Sequence, residues 1–314
     1  MKKFSKILTV LTLIFVVLSL TACSNASLTT SNYLWFSNPS AFKSNFKETL
    51  VYDVSFVNTT NADSTPVKVD GYNLEVEEGY YTTTLEAKTD KNGNYYVYTT
   101  ELKLKATYIK PNSSQAFTDT LKTVSRFTEN LTPITTTKEY FSEYDNYKYR
   151  YEINYEEKKA TATLVESDIE ENNFKNNTFT FNNYTKGAFI DNDIILLAPR
   201  LYNVTNSFFQ EFKTIDVLSN KNYDMQFYAY LLNQDVDVKV LPGYTLNGQE
   251  VGAEGLQCNH VQMVIKDNFA GAPLETYYAQ DRETHRHRLI ETFTHFGNIG
   301  YLKYKLVSAT VEND

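Results

Sequence analysis

Alternation of apolar and polar residues is the strongest pattern in this chain. Every second residue from Leu50 to Phe56 is apolar and most of the residues between are polar, which predicts a strand with one buried and one solvated face. Residues 147–155 repeat the pattern with Tyr or Ile at every second position. Short polar turns such as residues 91–94 separate runs of this kind, and consecutive strands with short turns form an antiparallel meander.

The same alternation predicts strands along most of the chain. They cover residues 80–88, 95–108, 120–128, 134–144, 147–155, 160–166, 214–218, 223–232, 236–241, 257–266, 274–280, 286–296 and 300–308. Residues 191–200 break the pattern with an acidic start and a continuous apolar run, and predict a short buried helix capped by Asp191 or Asn192 with Pro199 near its end. A second helical turn is predicted over residues 204–212, and a short helix over residues 40–47 after Asn38-Pro39.

These elements predict a mainly β fold with a single domain over residues 48–308. One long, strongly curved antiparallel sheet, a half-barrel wrapped around one or two short helices, is the simplest way to bury the apolar faces of both kinds of element. Residues 23–47 are predicted to be a tether followed by the short N-terminal helix, and residues 309–314 a tail.

The first 22 residues predict export and membrane attachment. Three lysines, Lys2, Lys3 and Lys6, precede an apolar run that ends at Leu20, as in a secretory signal peptide. Leu20-Thr21-Ala22-Cys23 resembles the lipobox of bacterial lipoproteins, in which the cysteine thiol receives a diacylglycerol and becomes the first mature residue. The resemblance implies an extracytoplasmic protein, held at the cell membrane, or at the outer membrane of a two-membrane cell, by lipidated Cys23. An ordinary signal peptide with a chance cysteine is the alternative.

Charge excludes two kinds of partner. The formal charge of the chain is −8, and removal of the three leader lysines makes it −11. An acidic chain argues against a nucleic-acid partner, which needs clustered Lys and Arg, and against electrostatic adsorption to anionic lipid. Membrane attachment is therefore assigned to Cys23 alone.

The order of the segments also resembles a family of uncharacterised bacterial envelope proteins related to the Lol-type lipoprotein carriers. The resemblance rests on residues 48–56 as an opening strand and on residues 193–200 as an Asp-led apolar helix ending in Arg. It continues in residues 258–264 and 276–281, two late strands that precede the basic segment 286–289. It implies a half-barrel around a helix, with an apolar cavity that holds acyl chains in relatives, and it implies no catalytic residue.

The predicted function is therefore non-catalytic binding of a lipid, of a lipidated partner or of another apolar ligand in the half-barrel. The inward positions of the clearest strands and the helix supply the candidate cavity lining: Tyr52, Val54, Phe56, Tyr149, Tyr151, Ile153, Ile194 and Leu197. Ordinary core packing is the competing interpretation of each residue. The alternative function is a surface interaction or assembly module with a filled core and exposed Tyr-rich faces.

The sequence contains only weak candidates for a catalytic site or a metal site, and no cofactor is predicted. His285 and His287 share one face of a predicted strand, but two histidines among positively charged neighbours make an incomplete metal site. Cys258 and His260 also share a face, yet i and i+2 neighbours lie roughly 6.5–7 Å apart, too far for a direct hydrogen bond. A buried structural cysteine is the preferred interpretation, and a metal-dependent or cysteine enzyme is the third hypothesis.

Overall fold

The fold is described by a computed structural model that covers residues 43–60, 66–67, 69–144, 146–167, 178–201, 208–217, 221–229, 238–265, 274–280, 286–296 and 299–313. These residues form nineteen strands and one 3₁₀ helix, Asn192–Leu201. The strands are β1 (Lys47–Thr60), β2 (Pro66–Val67), β3 (Asn73–Asp90), β4 (Gly93–Lys110), β5 (Ser113–Phe127), β6 (Pro133–Ser142), β7 (Tyr147–Tyr155), β8 (Ala160–Ser167), β9 (Thr178–Phe181), β10 (Phe189–Asp191), β11 (Phe208–Asp216), β12 (Lys221–Ala229), β13 (Val238–Leu241), β14 (Tyr244–Leu246), β15 (Gln249–Val251), β16 (Leu256–Ile265), β17 (Leu274–Ala279), β18 (Leu289–Phe296) and β19 (Gly300–Glu312).

The strands join into one large sheet made of two meanders. In the first, each strand from β3 to β9 pairs antiparallel with the next. In the second, β16, β17, β18 and β19 pair in the same way. β1 connects the two meanders, because it pairs with β3 on one side and with β19 on the other. The mainly β class and the single long antiparallel sheet are confirmed.

The sheet is curved but not closed. Its order is β9-β8-β7-β6-β5-β4-β3-β1-β19-β18-β17-β16-β12-β11-β10, with β2, β13, β14 and β15 as short additions. In the described residues, the edge strands β9 and β10 pair with one neighbour each, β8 and β11 respectively. The Asp191 side chain of β10 nevertheless accepts hydrogen bonds from Thr136 of β6 and Tyr155 of β7. The edge strand β10 therefore lies against the inner face of β6 and β7, which is the rolled, open form expected of a half-barrel.

The 3₁₀ helix fills part of the concave face, as predicted for residues 191–200. Ile194 and Leu197 are buried in the main hydrophobic cluster. The Asp191 Oδ1 accepts a hydrogen bond from the Asp193 backbone N–H at 3.0 Å, so Asp191 caps the helix start. A second hydrophobic cluster lies between β7, β8, β9 and β11 and contains Tyr151 and Ile153.

Four boundary predictions were wrong. Residues 43–46 form a turn, and β1 begins at Lys47, so the described part of residues 40–47 is not a helix. Residues 208–212 belong to β11, not to a helical turn. The predicted tail continues as β19 up to Glu312, because it pairs with the start of β1. Arg286 and His287 form a turn with φ of 49° each, so the strand predicted over residues 286–296 begins only at Leu289.

The predicted signal peptide, residues 1–22, together with Cys23 and the tether, lies outside the described residues. Among the residues that are described, no helix is long and apolar enough to cross a membrane.

Candidate functional site

The eight predicted lining residues divide between two hydrophobic clusters. Tyr52, Val54, Ile194 and Leu197 lie in the main hydrophobic cluster, with Phe56 packed against it. Tyr151 and Ile153 lie in the second cluster, with Tyr149 packed against it. The buried members are core residues. The alternating sequence pattern therefore identified the residues that face inward, but it did not show which of them border a cavity.

The inner face is accessible at a slot between β1 and β3. These strands pair only as far as Asp53 and Tyr80, beyond which β3 carries a bulge between Val76 and Glu78. A cleft of about 340 Å³ opens there. Its lining combines the apolar residues Val54, Phe56, Leu74 and Val76 with the polar residues Asp53, Ser55, Glu77, Glu78 and Tyr80. We call this cleft the β1–β3 slot.

Gly79 sets the width of the slot at the end next to the last paired residues of β1 and β3, Asp53 and Tyr80. A Cβ atom at Gly79 would lie 2.5 Å from the carbonyl oxygen of Val54. Only glycine therefore allows β3 to approach β1 this closely just before the strands separate. The bulge then shifts the pairing of β3 by one residue and directs its backbone away from β1.

An aromatic cluster adjoins the slot through Phe56. The ring of Phe56 lies 6.3 Å from that of Phe296, which lies 5.9 Å from that of Tyr108. Tyr108 also contacts Tyr144, and the Lys110 ammonium lies 5.1 Å from the Tyr108 ring centroid and 5.3 Å from that of Tyr144. Hydrogen bonding to Tyr144 raises the pKa of Lys110, which keeps the ammonium charged. The cluster combines apolar rings with one cation, a combination that suits an amphiphilic ligand.

A buried group of charges that the sequence analysis did not identify holds the helix C-terminus. Glu48 Oε1 accepts a hydrogen bond from Arg200 Nη1 at 2.7 Å, and its Oε2 accepts one from Arg288 Nε at 2.9 Å. All three side chains are at most 3% exposed. Arg288 also donates to the Tyr244 hydroxyl at 3.0 Å. Burial acts to raise the pKa of Glu48, but the two guanidinium groups outweigh it and lower the pKa below its usual value.

The sequence contains the three residues of this triad in recognisable segments, but the sequence alone does not show that the three side chains contact each other. Glu48, Arg200 and Arg288 lie in three of the segments that carry the family resemblance: the opening strand, the helix that ends in Arg, and the basic segment 286–289. Arg288 was not singled out within its segment. It is buried because the turn at Arg286 and His287 directs the chain inward.

A second buried polar site lies at the other end of the helix. Asp191 is 2% exposed, and its Oδ2 accepts hydrogen bonds from Thr136 and, at 2.8 Å, from Tyr155. Burial raises the pKa of Asp191 to about 6, and the neighbouring Asp193 charge contributes. Lys138 pairs with Asp193 at 2.8 Å. Burial alone would lower the pKa of Lys138, but the Asp193 carboxylate reverses this and raises it.

Of the two candidate metal ligands, the structure describes only His287. His285 lies outside the described residues, and His287 is fully buried in a turn and not on a strand face. The parity argument that put the two histidines on one strand face is therefore wrong. Over the described part of the chain, no group of three or more His, Cys, Asp or Glu side chains is arranged to hold a metal ion.

Cys258 is buried, in agreement with the structural interpretation. Its Sγ donates weakly to the Leu256 carbonyl at 3.5 Å, and burial raises the pKa of the thiol to about 12. His260 is instead hydrogen-bonded to Glu275 and stacked on Tyr277 with ring centroids 4.8 Å apart. A thiol with so high a pKa is almost wholly protonated at neutral pH and is a poor nucleophile.

Comparison with known proteins supports the fold. No protein-family model and no curated protein matches this sequence. The crystal structure of a β-barrel-like protein of a domain of unknown function, DUF1849, from Brucella abortus is similar, with a TM-score of 0.52. The match covers 86% of this chain and 99% of that chain at 12% identity. At this identity the likeness shows the fold alone, a β-barrel-like sheet.

Proposed function

We propose that this protein is a lipid-anchored extracytoplasmic binding protein that holds a lipid or another apolar ligand in its half-barrel without catalysing a reaction. The observation that carries the proposal is the β1–β3 slot. It lies where two neighbouring strands of the wall separate, and its lining includes Val54, Phe56, Leu74 and Val76. Two of these, Val54 and Phe56, are among the predicted lining residues.

The size of the slot and its four apolar side chains suit part of an acyl chain rather than a large ligand. Its volume of about 340 Å³ lies at the lower end of the usual range for ligand sites, roughly 300–1,000 Å³. Phe56 continues the apolar surface into the aromatic cluster with Phe296 and Tyr108. Lys110 at this cluster would suit a carboxylate or phosphate head group, since it is a charged ammonium beside apolar rings.

Membrane attachment is proposed from the leader. The lysines, the apolar run and Leu20-Thr21-Ala22-Cys23 together match a lipoprotein signal. A single acyl chain binds membranes only weakly, whereas the diacylglycerol of such a cysteine supplies two chains and a stable anchor. We expect Cys23→Ser to move the protein from the membrane fraction to the soluble extracytoplasmic fraction. Retention of the variant in washed membranes would contradict the anchor.

Lipid binding is tested on the chain that begins after Cys23. The purified protein is extracted for bound lipid and titrated with a fluorescent fatty acid. Val76→Phe fills the slot with an apolar side chain, and Phe56→Ala removes its contact with the aromatic cluster. Each variant is expected to weaken uptake at least tenfold while the circular dichroism spectrum is unchanged.

The control variant is Val307→Ala, which changes an exposed apolar residue on β19, 39% exposed, away from the slot. It is expected to bind as the unchanged protein does. A protein that yields no lipid on extraction and takes up no fluorescent fatty acid would contradict the proposal. Equal binding by Val76→Phe would place the ligand elsewhere and contradict the role of the slot.

The second candidate, a surface interaction module with a filled core, is favoured by a different observation. Six of the eight predicted lining residues, Tyr52, Val54, Tyr151, Ile153, Ile194 and Leu197, are at most 3% exposed, and of these six only Val54 borders the slot. For such a module the ligand site lies on the outer face of the sheet.

A further inference from the structure

The outer face of strands β3–β8 carries a trough, whose lining also includes the inward-facing residues Leu102, Leu121, Tyr140 and Tyr149. Its volume is about 650 Å³. Most of its lining side chains, including Tyr80, Glu101 and Phe141, alternate with buried inner residues such as Thr100 and Leu104. They therefore point away from the core. We call this surface the outer trough.

Two exposed aromatic rings lie in one row across the outer trough. Register places Tyr80 opposite Lys103, Lys103 opposite Thr120, and Thr120 opposite Phe141. Tyr80 is 48% exposed and Phe141 38% exposed. Three strand spacings separate their backbones, roughly 14 Å at 4.7–4.9 Å per step. A ligand that contacts both rings must be elongated and must lie across the strands.

The neighbouring row is a ladder of alternating charges. Across β4 to β8 it contains, in order, Glu101, Lys122, Glu139, Arg150 and Glu166. Glu101 and Lys122 lie 3.8 Å apart and Glu139 and Arg150 3.5 Å apart, so the charges neutralise each other.

Register also places Lys148 opposite Phe141, so the aromatic row contains two lysines, Lys103 and Lys148. Both face carboxylates outside the row. Lys103 lies 2.9 Å from Glu78, and Lys148 is hydrogen-bonded to Glu166. That bond lowers the pKa of Glu166, which keeps this carboxylate ionised. The outer trough therefore presents many hydrogen-bonding groups and little unbalanced charge.

We infer that the outer trough binds a neutral carbohydrate chain. Flat aromatic rings stack on the C–H faces of sugar rings, and carboxylates, ammonium groups and hydroxyls such as Thr120 hydrogen-bond to sugar hydroxyls. The distance between Tyr80 and Phe141 suits a chain of several sugar rings. A charged polymer gains little here, since each cation of the two rows already has a carboxylate neighbour.

The position of the trough argues against an extended peptide. Peptides that add a strand to a sheet bind at an unpaired edge. Here β4, β5, β6 and β7 are each paired on both sides. Their backbone groups are satisfied within the sheet, and a ligand must be recognised by side chains alone. Recognition by the side chains of a sheet face suits a carbohydrate.

To test this inference, the chain that begins after Cys23 is applied to an array of neutral and acidic glycans. Its affinity for the soluble neutral oligosaccharide that binds most strongly is then measured by calorimetry. Tyr80→Ala and Phe141→Ala are each expected to weaken binding at least tenfold, and the double variant to abolish it. The matched control is Tyr72→Ala. Tyr72 is also exposed, 36%, but lies beside Tyr108 of the aromatic cluster and outside the trough.

The outcomes separate this inference from the proposed lipid site. Tyr80 also lines the β1–β3 slot, so fatty-acid uptake is compared in Phe141→Ala, which changes the trough alone. Loss of glycan binding in Tyr80→Ala and Phe141→Ala, with fatty-acid uptake unchanged in Phe141→Ala and glycan binding unchanged in the Tyr72→Ala control, supports the trough as an independent site. Binding to no neutral glycan on the array would overturn the inference. Binding restricted to acidic glycans, or equal binding by the double variant, would also overturn it.

Discussion

Asp191 and Glu48 are two buried carboxyl groups at opposite ends of the same 3₁₀ helix, and their environments differ. Glu48 faces two guanidinium groups, those of Arg200 and Arg288. Asp191 is surrounded by neutral donors, the hydroxyls of Thr136 and Tyr155 and a backbone N–H. Both are 1–2% exposed. Their pKa values nevertheless move in opposite directions, down for Glu48 and up to about 6 for Asp191.

The difference shows that hydrogen bonds and counter-charges do not compensate burial equally. Three hydrogen bonds to Asp191 lower its pKa, but burial and, after it, the negative charge of Asp193 outweigh them. Two ion pairs to Glu48 overcome the same penalty. The helix is therefore attached to the sheet by a permanent ionic contact at its C-terminal end and by a contact sensitive to protonation at its N-terminal end.

Removal of the charge at Glu48 is expected to give the largest effect. Glu48→Gln leaves two buried guanidinium groups without their shared carboxylate, and loss of one partner of a buried ion pair typically costs about 3–5 kcal/mol. Urea unfolding of the purified protein measures the loss in the free energy of unfolding. Glu312→Gln, which removes an exposed pair with Lys47, is the control and is expected to cost less than about 1 kcal/mol. A Glu48→Gln loss no larger than that of the control would show that the triad does not stabilise the fold.

Asp191 is expected to change the pH dependence of stability. Because its pKa is higher in the folded chain, about 6 against 3.8, its contribution is fully present below pH 3.8 and is lost as pH rises through 6. Asp191→Asn removes this dependence. Between pH 5 and pH 7 the unchanged protein should therefore lose about 1 kcal/mol more than the variant. Urea unfolding at the two pH values measures this difference, and parallel changes in the two proteins would contradict the raised pKa.

A smaller effect is expected from Lys138, which pairs with Asp193 beside Asp191. Lys138→Gln removes the positive charge nearest to the two carboxyl groups. The pKa of Asp191 is expected to rise further, and stability at pH 7 to fall by roughly 1 kcal/mol. NMR titration of the Asp191 carboxyl carbon measures the shift. An Asp191 pKa that stays constant or falls would show that Lys138 does not interact with this site.

The sequence predicted the strands well, because each needs only its own alternating pattern. Residues 147–155 match β7, and the turn at Lys91 and Asn92 connects β3 and β4. The helix over residues 191–200 was also predicted, with Asp191 or Asn192 as its cap, since both features depend on neighbouring residues. Residues 208–212 were misassigned because their apolar run fits a helix and a strand equally until its partner, β12, is known.

The candidate sites were less predictable because they depend on contacts between distant residues. Glu48 meets Arg200 and Arg288 across separations of 152 and 240 positions. The β1–β3 slot depends on a bulge that no local pattern at Val76 signals. Alternation placed Phe56 on the inner face, but only the separation of β3 from β1 leaves it half-buried beside the slot.

The position of β19 has a consequence for how the chain acquires its fold during synthesis. β1 lies in the interior of the sheet, yet its partner on one side is the last strand of the chain, with Lys47 opposite Glu312. The β3–β9 meander needs only local contacts and can form early. One edge of β1 stays exposed until the C-terminal residues emerge, and an exposed edge pairs readily with other chains. Loss of β19 would therefore uncover one edge of β1 and leave an aggregation-prone product.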